Sequence, residues 1–274
     1  MLVATGTAQT APTSALLSQP PRSWVVDATA NEVIALHHEN SYIRYRMRVV
    51  DEKGDMMRDV VESKDGAVAR LIERDGKPLT PEQDAAERQR LADMVASPAD
   101  FARHIRNDDT GKRLADQLLR LMPDAMVYTY TPGQPQSGLS SQTEIVLDYH
   151  PNPHYHYPST TSEALSGLEG RVWINAQTRQ VVQMTGHIFR AVNLGWGILA
   201  HLYPGGTLLY QQVCAGGSRY IFSHFEQHLT VRALLLKSFT VNTNISGSDF
   251  SVLPGPMPYQ QAIQLLLQTP LPRH

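Results

Sequence analysis

The sequence predicts an α+β protein in which a large antiparallel sheet is covered by helices. Three observations predict it. Residues 170–239 form a series of strand-like segments with few internal charges, and residues 41–51 alternate apolar and polar side chains without a break. About forty residues of helical pattern, near 80–122, stand between these two sets of strands.

The chain divides into a tail, one domain and an extension. Residues 1–24 read as a disordered or signal-remnant tail, because 1–19 are mostly small and polar and no charge precedes Arg22. A complete signal peptide needs a basic start and an apolar run of about 7–15 residues. Segments such as Thr5-Gly-Thr-Ala8 look instead like what remains around a cleavage site, which points to an exported, periplasmic protein. Residues 25–245 form a single domain, with its helical insert at about 80–122, and 246–274 form a Pro- and Gly-rich extension with a short helix at 259–268.

Within the domain, Asp27 caps a first helix with Ala30, Val33, Ile34 and His37 at helical spacing, ending near Asn40. Residues 41–51 then place Ile43, Tyr45, Met47 and Val49 on one face and Tyr42, Arg44, Arg46 and Arg48 on the other, since strand side chains alternate with period two. Turns at 52–55 and 64–66 extend this strand into a three-stranded meander, whose Asp59 and Glu62 can pair with the arginines. Thr80, Pro81 and Gln83 give a helix start with a capping box. A second helix begins at Ser97-Pro98, lines up Leu114, Leu118 and Leu121, and should stop at Pro123.

Strands resume at 126–131 and 143–149. The hairpin arms at 170–175 and 180–188 follow, then strands at 207–213, 220–231 and 233–241. The connections at 195–197, 205–206 and 215–218 look like turns rather than phosphate-binding loops. The final helix, started by Pro258, is expected to pack peripherally.

Composition excludes several function classes. With 24 basic and 26 acidic residues there is no basic field for a nucleic-acid backbone. The single cysteine, Cys214, excludes an internal disulfide and a cysteine-built metal site, and with no adjacent base it reads as a buried or inert thiol. No apolar run approaches the ~18 residues of a membrane-spanning helix. His154 and His156, with His150 nearby, have strand-like i, i+2 spacing, but Pro151, Pro153 and Pro158 favour polyproline II, where such neighbours diverge. An exposed aromatic and histidine loop is therefore expected there, with no metal and no cofactor. His224, Glu226 and His228 share a strand face, with the two histidines ~13 Å apart, too far to share one ion. They make a polar outer face opposite Phe225 and Leu229. No Gly-x-Ser-x-Gly elbow is present, and no enzyme is predicted.

The run Arg70-Leu-Ile-Glu-Arg-Asp-Gly-Lys-Pro-Leu-Thr-Pro-Glu82, the stretch Gly170-Arg-Val-Trp-Ile-Asn175 with its return strand, and Leu234-Leu-Leu-Lys-Ser-Phe239 carry a resemblance. They look like exported bacterial proteins of the outer-membrane lipoprotein-sorting type, uncharacterised members of the acidobacterial kind. Their fold is similar to that of the carriers LolA and LolB. The resemblance implies an incomplete antiparallel β-barrel, a curved sheet wrapped around helices, with an apolar cavity that in the carriers accepts acyl chains.

Ile43, Tyr45, Met47, Val49, Val182, Met184 and Ile188 are the candidate cavity residues. They either line a ligand cavity or fill a dry core against the inserted helices. The expected function is non-enzymatic binding of a lipid, a lipoprotein acyl chain or another apolar molecule. The alternative is an envelope protein-interaction or sensor module whose cavity is filled by its own side chains.

Overall fold

A computed structural model describes residues 13–37, 42–138, 142–194, 200–214, 220–233 and 238–272. The chain opens with helices α1 (Thr13–Leu17) and α2 (Pro21–Leu36), then strands β1 (Ile43–Asp51), β2 (Gly54–Ser63), β3 (Gly66–Arg74) and β4 (Lys77–Pro78). Helices α3 (Pro81–Ala96) and α4 (Pro98–Ala125) follow, then β5 (Met126–Tyr130), β6 (Gln136–Ser137) and β7 (Thr143–Pro151). A 3-10 turn at Ser162–Gly167 leads into β8 (Leu168–Asn175), β9 (Val181–Ile188), β10 (Val192–Leu194), β11 (Ala200–Leu202) and β12 (Thr207–Cys214). The long strands β13 (Tyr220–Ala233) and β14 (Ser238–Val252) and helix α5 (Tyr259–Gln268) complete the chain.

Among the described residues every strand pairing is antiparallel, and the strands form one curved, unclosed sheet in the order β4-β3-β2-β1-β14-β13-β12-β9-β8-β7-β5, with β6 beside β7, β11 beside β13 and β10 beside β11 off this path. This is an α+β protein of the predicted class. The joint between its early and late strands is β1 against β14, where Val49 faces Ile245 and Met47 faces Gly247.

Two hydrophobic cores lie on opposite faces of the sheet. The first packs Trp24, Val25 and Ala28 of α2 and Met122 and Ala125 of α4 onto Ile145, Leu147, Val172 and Ile174. The second packs Leu91 and Met94 of α3, Phe101 of α4 and Ile263 and Leu266 of α5 onto Val61 and Val68. Val61 and Val68 stand directly opposite one another, and Arg44 stands opposite Val61, so the second core sits on the arginine face of β1. Opposed residues in antiparallel strands share a face. Helix α4, about 42 Å long at 1.5 Å per residue, serves both cores, one with each end.

Several expectations change. Asp27 does not cap the first helix; it lies inside α2, whose N-terminus is Pro21 preceded by Pro20. The tail drawn to residue 24 is helical from Thr13, and Trp24 is fully buried, its indole N–H donating to Tyr130 Oη at 2.9 Å and its ring stacked on Arg179. Pro123 does not stop α4, which continues through it to Ala125. Cys214 is exposed at the end of β12, not buried.

The largest change concerns the C-terminal extension. Residues 246–252 continue β14 in the middle of the sheet, and α5 is central to the second core rather than peripheral, with Ile263 and Leu266 fully buried. The fully buried Arg70 explains how α5 is held: it donates to the carbonyls of Leu266 and Thr269, both at 2.7 Å, and to Asp84 at 2.6 Å. A cation at a helix C-terminus satisfies the orphan carbonyls and complements the helix dipole.

Other expectations hold. Thr80 and Gln83 form the capping box, with Pro81 as the first residue of α3. The β1 arginines pair with carboxylates, Arg44 with Asp59, Arg46 with Asp249 and Arg48 with Asp55, while Glu62 instead accepts the Ile43 N–H. The expected tail before residue 13, the strand start at Ser41, the turns at 195–197 and 215–218, and the run 234–237 lie outside the described residues.

Candidate functional site

The register of the sheet aligns nine side chains, one from each of nine strands, in a single cross-strand row. In order they are Tyr130, Leu147, Val172, Met184, Tyr210, Phe225, Ile245, Val49 and Met56, each directly opposite the next. All are apolar or aromatic. One residue along, on the other face, the matching row reads Val146, Trp173, Gln183, Gln211, His224, Ser246, Arg48 and Met57, polar throughout its middle. The alternation that makes a half-buried strand is thus kept in phase across most of the sheet.

The row is covered unevenly. Leu147 is fully buried and Val172 nearly so, beneath α2 and α4. From Tyr210 to Met56 the side chains are only half-buried and belong to neither core. From Met184 to Met56 the row crosses five strand spacings, about 24 Å at ~4.8 Å each. Aromatic neighbours widen it: Tyr45 stacks on Phe250 at 5.8 Å, and Phe222 lies 6.0 Å from Tyr210.

Cover ends at Glu32 of α2. Its carboxylate is buried and accepts from Gln212 Nε2 at 2.6 and 2.7 Å and from the Tyr210 hydroxyl at 3.3 Å. Burial pushes its pKa up to about 7, opposed by the hydrogen bonds from Gln212, Tyr210 and the Val181 backbone. The same burial, with the Glu32 charge beside it, raises the Tyr210 hydroxyl well above its ordinary value.

At the far end, Arg58 of β2 stands opposite both Met47 and Leu71, on the apolar-row face. Arg74 stands opposite Met56 and Lys77 opposite Arg74, so further cations end the row.

The seven predicted cavity residues separate into three groups. Val49 and Met184 belong to the row, and Tyr45 and Met47 flank it on the same face of β1. Ile43 and Ile188 are buried, Ile188 in the first core, and line nothing open. Val182 lies on the wrong face: a bulge pairs Trp173 with Gln183 and Ile174 with Val181, leaving Val182 as the extra residue. It lines a cleft of about 270 Å³ on the outer face with Trp173, Gln183 and the buried Glu144.

Phe225, Ile245, Tyr210 and Arg58 are site residues that the sequence reading did not select. The available signal was the alternation Val241, Thr243, Ile245 against Asn242, Asn244, Ser246, which continues the strand past residue 241.

Among the described residues the histidines form no such constellation. His224 and His228 are on the outer face opposite Ser246 and Asn242. No group of three metal-ligating side chains occurs among the described residues. No helix among them is long and apolar enough to cross a membrane. No family model, curated protein or solved structure matches the chain.

Proposed function

We propose that the protein is a non-enzymatic, exported carrier or binder of a single acyl chain, which lies along the open part of the row from Met184 to Met56. The observation that carries this reading is the unbroken run of half-buried apolar side chains across six strands, of which Phe225, Ile245, Val49 and Met56 belong to neither core. A stretch of about 24 Å is ample for one chain, given that each leaflet contributes about half of the ~30 Å bilayer hydrocarbon core.

Burying the exposed parts of these side chains against a hydrocarbon would supply about 25 cal/mol per Å² before ordering costs. The methionines at both ends suit an adaptable wall. A curved, unclosed antiparallel sheet packed with helices is also the architecture that resemblance to the LolA and LolB carriers implies, which favours a lipid or lipoprotein acyl chain as the cargo and the periplasm as the place of action.

The test is uptake of a fluorescent acyl probe and its displacement by palmitate. Wild-type protein should take up one probe per chain. Phe225→Asp, which places a charge at the middle of the row without touching either core, should abolish uptake while leaving the far-ultraviolet circular dichroism unchanged. Wild-type protein that takes up no probe would end the reading.

A further inference from the structure

Arg58 differs from the arginines around it. Arg44, Arg46, Arg48 and Arg70 each pair with an aspartate, whereas Arg58 makes no ion pair among the described residues. Its hydrogen-bond acceptor is the thioether of Met56, the last apolar member of the row, at 3.3 Å. Glu87 and Asp51 attract its charge, but both are hydrogen-bonded elsewhere. Glu87 receives the Leu71 N–H and the Arg90 guanidinium, with both oxygens used, and Asp51 accepts from the Lys53 N–H. Arg58 is half-buried, and its pKa is lowered, chiefly by desolvation. A half-buried guanidinium with no hydrogen-bonded carboxylate is costly unless something else supplies the anion. Arg74 and Lys77, on the same face just beyond Met56, add positive charge at that end.

We propose that Arg58 is the head-group site of the row: it binds the anionic end, a carboxylate or phosphate, of a single-chain amphiphile whose hydrocarbon lies along Met56, Val49, Ile245, Phe225, Tyr210 and Met184. This rests on the acyl-chain reading above. The guanidinium fork matches either oxyanion, and its position at the row's end fixes the direction in which the chain lies.

The experiment titrates wild-type protein and Arg58→Gln with palmitate, methyl palmitate and lysophosphatidate of the same chain length. Wild-type protein should bind one or both of the anions roughly tenfold or more tighter than the ester, the scale of a charge-assisted hydrogen bond, and Arg58→Gln should abolish that difference without weakening the ester. An advantage confined to palmitate identifies the carboxylate, and one confined to lysophosphatidate identifies the phosphate. Anions and ester that bind wild-type protein equally, or an advantage that survives Arg58→Gln, would overturn the head-group site and leave the acyl-chain reading standing. A wild-type protein that binds none of the three would overturn both. Equal binding of anions and ester by wild-type protein overturns the head-group site even if the variant fails to fold.

Discussion

Leu147 and Ile245 occupy the same cross-strand row, six and one strands respectively from the Val49 joint with β1, and present the same kind of side chain to the same face. Leu147 is fully buried beneath α2 and α4, whereas Ile245 is half-buried and in neither core. The difference lies not in the strands but in what has been laid over them. One end of the row is finished as a protein interior, and the other presents the same surface without a protein cover. Helix α2 stops covering the sheet at Glu32, where a carboxylate meets the Tyr210 hydroxyl and the Gln212 amide rather than more hydrocarbon.

Truncation should separate the two ends most sharply. Leu147→Ala is expected to destabilise the fold by about 2–5 kcal/mol, because it leaves a cavity in a closed core. Urea unfolding measures this, and a loss below about 1 kcal/mol would show that the covered end is not a packed interior.

At the border, the Glu32 carboxyl ionises at 4.5 in the unfolded chain and at about 7 when folded. Between those values the folded protein keeps a proton that the unfolded chain has lost. Its contribution to stability is therefore fully present below pH 4.5, declines as pH rises and levels off above pH 7, a span of roughly 3 kcal/mol. Glu32→Gln should flatten that slope in urea unfolding measured from pH 4.5 to pH 8; an unchanged slope would place the carboxylate in water.

Ile245→Ala should have the smallest effect on folding, about 1 kcal/mol, yet weaken acyl-chain binding, since its cover is the ligand and not the protein. A loss as large as that of Leu147→Ala would erase the distinction between the two ends.

What local sequence reveals and what it hides follow from the same physics. The faces of β1, the hairpins and the capped start of α3 are set by residues within a few positions of one another, and these were legible. Counting in twos places Val182 on the face of Met184, but a single extra residue in the β8–β9 ladder turns it outward. The role of α5 was hidden for a different reason. The helix itself is plain in the sequence, but the groups that make it central are Arg70, 196 residues before Leu266, and Val61 and Val68 on β2 and β3. Likewise nothing near Ile245 announces that its strand pairs with β1, some two hundred residues earlier. Partners chosen at that distance decide which apolar faces are covered, so the stripe on β1 could be read while the row it belongs to could not.

The methionines allow the central claim to be tested in one measurement. Met184 and Met56 mark the two ends of the open row and Met47 flanks it, whereas Met94, Met122 and Met126 are buried in the cores and Met57 lies on the opposite face. With methyl-labelled methionine and palmitate added to one equivalent, the account predicts that the Met184, Met56 and Met47 methyl resonances shift or broaden together. Those of Met94, Met122, Met126 and Met57 should stay in place. Perturbation centred on the core methionines, or none at any of them, would contradict it.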